Sequence, residues 1–187
     1  MKYCLVGLGN PGSQYNNTRH NIGFEVINAI GRMYAISFKK NKVSYYSQIT
    51  YQGNTIYLVK PSLYMNRSGE PVLYWLRRLQ ISLGQLLIIA DDLHLPIGKL
   101  RMRGSGGSGG HNGLKDITNQ LKSDQYPRIR LGIGKNYLPG EQSEYVLGHF
   151  SAKEQIAVES VIQSTVETIF LFCTEGIQAA MSKYNSL

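Results

Sequence analysis

The chain has almost no cysteine. Cys4 and Cys173 stand near opposite ends of 187 residues, each among apolar neighbours. Two residues so placed exclude a disulfide framework and a Cys-x-x-Cys metal site, and they suit small core positions. Carboxylates are also scarce: 12 Asp and Glu face 20 Lys and Arg, a formal net charge of +8 with a sequence pI near 9.5. A chain this basic is a candidate for a polyanionic partner, because each cation that neutralises a phosphate releases a condensed counterion. No apolar run approaches 18 residues, and Met1-Lys2 leads straight into a strand pattern without a signal-peptide layout. The expected setting is the cytoplasm, with no membrane attachment. No internal repeat occurs, and residues 1–187 are expected to form a single domain with a full core.

Several chemistries lack their parts. No serine lies in Gly-x-Ser-x-Gly, and Cys4 falls inside a core strand, so covalent catalysis has no evident nucleophile. His20, His94, His111 and His149 are scattered and form no His-Glu-x-x-His pattern, so neither a metal nor another cofactor is expected. The segment Gly104-Ser105-Gly106-Gly107-Ser108-Gly109-Gly110 lacks the Lys-Ser/Thr ending of a P-loop, which excludes nucleoside triphosphate hydrolysis. It reads instead as a mobile lid or a backbone phosphate cradle beside a pocket.

What is present concentrates in residues 7–21, a long loop between the apolar run Tyr3-Cys4-Leu5-Val6 and a helical pattern. Gly7, Gly9 and Gly12 satisfy Gly-x-Gly-x-x-Gly. The dinucleotide reading of that spacing needs a helix at once and an acidic residue about 20 positions on. Turn-favouring Ser13 to Thr18 and the missing acid oppose it. The alternative takes the glycines as turn formers that aim Asn10 and His20 into one pocket.

The remaining pattern is α/β. A helix is expected from near Thr18, capped by its hydroxyl, with Ile22, Val26, Ile30 and Met33 on the buried stripe. Strands over 43–51 and 55–60 flank a Gln52-Gly53-Asn54 turn. Ser68 is a candidate cap for a helix with Pro71 in its first turn and Val72, Trp75, Leu76 and Leu79 on its buried face. Leu86 to Ala90 is a continuous apolar run, as in a strand buried on both faces, and Asp91 falls just beyond it. Further strands are expected over 99–103 and 128–134, with a helix opening at His111 between them. Ser151 to Glu154 is a capping box for a long helix carrying Val158, Ile162, Val166, Ile169 and Cys173, and 175–184 adds a last helix. Together these predict one domain with a twisted, mixed and mainly parallel sheet flanked by helices. If the strands are parallel neighbours, Asn10, Asn66 and Asp91 converge at their carboxyl ends, where ligands bind in open α/β sheets. The alternation of Arg101 with Arg103 and of Arg128 with Arg130 would set four guanidiniums on one surface as a phosphate-binding patch.

A histidine base, an aspartate to orient it and asparagine amides to hold a carbonyl suit hydrolysis of an activated acyl bond by water. Four stretches then carry a family likeness: Val6 to Gly12 with Tyr15, Thr18, Arg19, His20 and Asn21; Lys60-Pro61 with Tyr64 to Gly69; Asp91-Asp92-Leu93 with Leu95-Pro96-Gly98; and Gly109 to Leu114. In this order, from Lys2 to about Ala180, the chain resembles the bacterial-type peptidyl-tRNA hydrolases. The resemblance implies hydrolysis of the ester joining a peptide to the 3′ end of tRNA, without a metal, by a protein that is usually monomeric. It implies that His20 activates water, that Asp91 keeps His20 basic and aimed, and that Asn10 distinguishes an N-blocked peptide from a free aminoacyl group. Tyr15, Tyr64, Asn66 and Asn112 match positions that contact tRNA or peptide, Met65 lines the cleft, and Arg103 and Arg130 clamp the tRNA backbone. Many members carry a lysine near Ser105, which leaves this loop's backbone N–H groups as its phosphate donors. Rival readings are an RNA-binding relative without hydrolysis and a dinucleotide-dependent oxidoreductase.

Overall fold

The computed structural model describes residues 1–185, two fewer than the span expected as one domain. The first apolar run becomes β1 (Lys2–Gly7), which lies at the centre of the sheet between β4 (Asn54–Pro61) and β5 (Leu86–Asp92), parallel to both. Every residue of β5 is buried, as a continuous apolar run between two layers requires. β7 (Arg128–Gly132) extends the parallel set beyond β5. At the rims β2 (Lys39–Lys40), β3 (Ser44–Tyr51) and β6 (Leu100–Arg103) join antiparallel, giving the order β2-β3-β4-β1-β5-β7-β6. The sheet is thus mixed around a parallel centre. The β3–β4 turn needs only Gln52 and Gly53, both at positive φ, as in the primed turns that match strand twist.

Two apolar layers sandwich the sheet. One holds α1 (Ile22–Met33), α5 (Ala152–Glu175) and α6 (Ile177–Tyr184) around Leu5, Ile27, Ile89 and Ile169. The other holds α2 (Gly69–Leu79) and α3 (Asn112–Leu121) around Val6, Trp75, Ile88 and Leu114. α5 is long and apolar enough to cross a membrane by length and composition alone, yet Val158, Val161, Val166, Ile169 and Phe172 are buried in the first layer. The short α4 (Gln142–Leu147) sits above the sheet's carboxyl edge.

Three local expectations are corrected. α1 starts at Ile22, after a 3-10 turn over Arg19–Asn21, and the Thr18 hydroxyl donates to the Tyr15 carbonyl instead of capping a helix. Met33 is exposed, because the stripe turns off the core after Ile30. The Ser68 hydroxyl donates back to the Met65 carbonyl, and the first amide of α2 is received by Asp116 of α3 at 2.7 Å. Asp116 therefore supplies the acceptor that sequence patterning assigned to Ser68. The capping box at Ser151 and Glu154 forms as expected.

Two glycines explain how α1 approaches the sheet. A Cβ on Gly7 would lie 2.1 Å from the Gly23 carbonyl oxygen, and one on Gly23 would lie 2.5 Å from the Ile89 carbonyl oxygen. The helix start rests directly on the strand backbones. Gly7 therefore serves close packing and not a turn, while Gly12, at φ 114°, is the turn former.

Candidate active site

The carboxyl ends of β1, β4 and β5 lie side by side, so the loops that follow them share one end of the sheet. The β1 loop is pinned first. Asn21, fully buried, accepts the Asn10 N–H on its Oδ1 at 2.8 Å and donates from Nδ2 to the Asn10 carbonyl at 3.0 Å. Asn10 in turn accepts the Met65 N–H on Oδ1 at 2.8 Å, which fixes its amide orientation and leaves Nδ2 as a free donor. Asn21 has no assigned role in the sequence reading, although it stands in the first motif. Asn21→Ala is expected to leave the Asn10 N–H and C=O unpaired, costing roughly 2 kcal/mol or more of stability. A thermal melt checks this.

The same loop is tied on its other side. Thr18 bridges to His149, the Arg19 N–H donates to the Gly148 carbonyl at 2.9 Å, and the Arg19 guanidinium pairs with Glu154 at 3.1 Å over the Tyr145 ring. His20 is held between these two anchors.

His20 Nδ1 lies 2.8 Å from Asp91 Oδ1, and the Nε2 of His111 lies 2.9 Å from the same oxygen. Asp91 is the penultimate residue of β5, inside the strand and not beyond it. His111 is the N-cap of α3, and its Nδ1 accepts the Leu114 N–H at 3.2 Å. That bond assigns the tautomers: with Nδ1 an acceptor, neutral His111 carries its proton on Nε2 and donates it to Asp91. His20 donates from Nδ1 likewise, which leaves the lone pair on Nε2.

Burial opposes the charge on Asp91, but the two imidazoles beside it and their hydrogen bonds prevail and hold the carboxyl far below the usual range. For His20, burial lowers the pKa, while the Asp91 charge and hydrogen bond raise it; the net shift is upward. Asp91 is therefore held as an anion, with the titratable His20 imidazole beside it.

The three donor atoms of His20, Asp91 and His111 lie within 4.8 Å of one another, a spacing that could hold a cation. The donor set does not fit one. The Leu114 N–H commits His111 Nε2 to carrying a proton, and a metal there would require the lone pair that this tautomer lacks.

A small cavity of about 70 Å³ opens beside this trio, lined by Gly109, Gly110, Asn112, Arg130, Gln142 and Ser143 among others. A larger groove of about 430 Å³ runs between α1 and α5, but it brings together no comparable set of groups. Asn112, exposed on the first turn of α3, reaches the small cavity. Tyr15 and Tyr64 meet edge to face at 6.3 Å, with Tyr64 well exposed, and Asn66 is exposed beside them. Neither Tyr15, Tyr64 and Asn66 nor Asn10 lines the cavity beside the trio. Met65 is buried in the second apolar layer, and its backbone N–H is what meets Asn10.

Two expectations about the basic strands and the glycine loop change. Register places Arg101 opposite Arg130 and Arg103 opposite Arg128, so the four do share a face. Arg128 is nevertheless buried and stacked over Tyr126 at 3.9 Å. Its guanidinium donates to the carbonyls of Gly106, Gly107 and Asp124. Arg130 donates to the Ser108 carbonyl at 2.6 Å and lies 3.4 Å from Asp92. The expected patch of four shrinks to Arg101 and Arg103, which are exposed. Two arginines strap the glycine loop through the carbonyls of Gly106, Gly107 and Ser108, tethers that its reading as a mobile lid or phosphate cradle did not include. It delivers His111 to Asp91.

His111 and Asn21 are the residues of the candidate site to which sequence reasoning gave no role. The signal for His111 was its place between the glycine loop and a helix start, next to Asn112.

Comparison with known proteins gives a family for the chain. The profile of the family described as Peptidyl-tRNA hydrolase matches residues 4–187. A peptidyl-tRNA hydrolase of Cytophaga hutchinsonii is 43% identical over 186 residues, spanning 100% of this chain and 99% of the relative. One from Bacteroides fragilis is 41% identical over 185 residues, 99% of each. The crystal structure of peptidyl-tRNA hydrolase from Acinetobacter baumannii superposes with a TM-score of 0.93 at 33% identity, covering 98% of this chain and 94% of that one. With end-to-end similarity in sequence and in fold, the chain belongs to the bacterial-type peptidyl-tRNA hydrolase family, and it is an enzyme.

Proposed function

We propose that this enzyme hydrolyses the ester between a peptide and the 3′ end of tRNA, recycling peptidyl-tRNA released early from the ribosome. The observation that carries the mechanism is the shared Asp91 oxygen, which receives His20 Nδ1 and His111 Nε2 and leaves His20 Nε2 as the base. His20 Nε2 takes a proton from water as its oxygen adds to the ester carbonyl. The resulting imidazolium is stabilised by the buried Asp91 carboxylate. When the tetrahedral intermediate collapses, the proton passes to the departing ribose oxygen, and His20 returns to its starting state. The free Nδ2 of Asn10 and the amide of Asn112 are the candidate donors to carbonyl oxygens of the peptide. Asn10 is also where a blocked amine would be told from a free one, and Tyr15, Tyr64 and Asn66 flank the peptide and the terminal nucleotide, while the buried Met65 only positions Asn10. We place the reaction in the cytoplasm, carried out by a monomer on peptidyl-tRNA without a metal.

The test is release of N-acetyl amino acid from N-acetyl-aminoacyl-tRNA, with unblocked aminoacyl-tRNA beside it and EDTA present. Cleavage of the blocked substrate alone, indifferent to EDTA, is the expected result. Binding of tRNA without ester cleavage would replace hydrolysis with a purely RNA-binding role.

Arg103 and Arg130 separate into two roles in the same assay. Arg103 is exposed and free to meet a phosphate, so Arg103→Ala is expected to reduce the salt slope of tRNA binding by roughly one and leave turnover near normal. Arg130 is held by Ser108 and Asp92, so Arg130→Ala is expected to lower turnover through the glycine loop and to leave the salt slope near that of the parent. Titrations at several salt concentrations check both, and an unchanged slope for Arg103→Ala would place the phosphate clamp elsewhere.

A further inference from the structure

The net charge is not spread evenly. Between Val26 and Ala90 there are eight Lys and Arg residues and a single carboxylate, Glu70, so this third of the chain carries +7 of the formal +8. Glu70 is itself paired with Arg67 at 2.8 Å. Within the segment, β2, β3 and β4 lie on the side of β1 away from β5 and β7, and α2 sets Trp75 against Tyr46 and Tyr57 of β3 and β4.

There the sheet carries a groove of about 520 Å³. Tyr46, Tyr57 and Trp75 line it, with Lys2, Lys39 and Arg78 at its rim, and no carboxylate belongs to it. The register explains the arrangement: Lys39 is directly opposite Tyr46 in the β2–β3 ladder, so both project from the same face. Tyr46 lies 5.0 Å and Tyr57 5.9 Å from the Trp75 ring, and the Arg78 guanidinium lies 5.8 Å over it. Tyr46 and Tyr57 are only half buried. Lys2 opens β1, so the groove stands at the amino end of the strands, roughly 16 Å along β1 from its carboxyl end. It is a different place from the His20 cavity.

Lysines on a sheet rim also discourage edge-to-edge pairing. That role explains Lys39 but not Lys2, Arg78 or the half-open aromatic floor between them. Half-exposed rings bordered by cations without carboxylates match the chemistry of an unpaired nucleic-acid strand, whose bases stack and whose phosphates take the cations. We propose that this groove is a second RNA-contact site that takes a single-stranded RNA segment, with bases against Tyr46 and Tyr57 and phosphates on Lys2, Lys39 and Arg78.

The test needs no ester and stands apart from the hydrolytic reading. Trp75 is the only tryptophan in the chain and lies beneath Tyr46 and Tyr57, so its fluorescence responds to a change in the stacking of those rings. A single-stranded RNA oligonucleotide titrated into the full-length protein is expected to change that signal, with affinity falling as salt rises. In the Lys39→Ala/Arg78→Gln double variant, binding is expected to weaken roughly tenfold or more at 0.1 M salt, and the salt slope to drop by about 1.4 for two lost contacts. Both changes are on exposed side chains, and cleavage of a minimal 3′-(N-acetylaminoacyl)adenosine, too short to reach the groove, is expected to stay unchanged. Deacylated tRNA, titrated in parallel, separates the sources: weakened tRNA binding assigns the strand to the substrate itself, and weakened oligonucleotide binding alone assigns it to another RNA. Oligonucleotide binding that leaves Trp75 unchanged, or that is the same in the double variant, overturns the proposal.

Discussion

His20→Ala lowers turnover of N-acetyl-aminoacyl-tRNA by roughly 10²-fold or more, the share of the rate expected from a positioned general base. Binding of the tRNA is expected to stay within a few-fold of the parent. The reason lies in what the side chain touches: one nitrogen is committed to Asp91 at 2.8 Å, and the imidazole contributes no strand or helix contact that holds the RNA. The loop around it remains anchored by Asn21 and by the Arg19 pair with Glu154, so loss of the ring does not release the loop. Single-turnover kinetics with saturating enzyme separate the chemical step from binding. Near-normal single-turnover rates would remove His20 from the role of base, and a rate loss matched by lost tRNA affinity would make it a binding residue.

The parts of this site that were legible in the sequence are those set by neighbours along the chain. β5 could be read because five consecutive apolar residues between polar ones have few alternatives to a strand covered on both faces. The parallel placement of β4, β1 and β5 then brought Asn10, Asn66 and Asp91 to one end of the sheet, as the strand-end argument required. The buried face of α2 and the capping box of α5 were readable for the same local reason.

What was not legible depends on partners far apart in the chain. His111 looked like one of four scattered histidines, yet its ring centre lies 5.0 Å from that of His20. The segment that carries His111 there is strapped by Arg128 and Arg130 through the glycine loop, contacts that cross about 20 residues. Alternation along β7 correctly gave the two arginines a common face. It could not show that a buried guanidinium with five donors would find carbonyls more readily than phosphate. Asp116 capping α2 in place of Ser68 is the same lesson, since a cap needs an acceptor at the right place and not from the same segment.

Asp91→Asn separates the charge of this residue from its shape. Burial disfavours the His20 cation, and the Asp91 carboxylate with its hydrogen bond favours it strongly enough to leave the pKa above that of an ordinary histidine. Removing the charge leaves burial unopposed, so the His20 pKa falls. Because the base works only when unprotonated, the acidic limb of kcat/KM moves to lower pH in the variant. Its plateau nevertheless drops by roughly 10²-fold, since the stabilised imidazolium is lost and the amide can turn its NH2 toward His20 Nδ1, favouring the tautomer with the proton on Nε2. Stability follows from the same pair. The depressed Asp91 pKa contributes stability that is present above the unfolded carboxylate value and is lost as pH falls through the folded one. The raised His20 pKa contributes stability that is present below the unfolded histidine value and is lost as pH rises through the folded one. The difference in melting temperature between parent and variant is therefore expected to be widest between about pH 4 and about pH 6.5, and to narrow on either side. Rate profiles and melts over that range check both expectations. A limb displaced to higher pH, or a melting gap that widens toward alkaline pH, would show that Asp91 does not act on His20 through its charge.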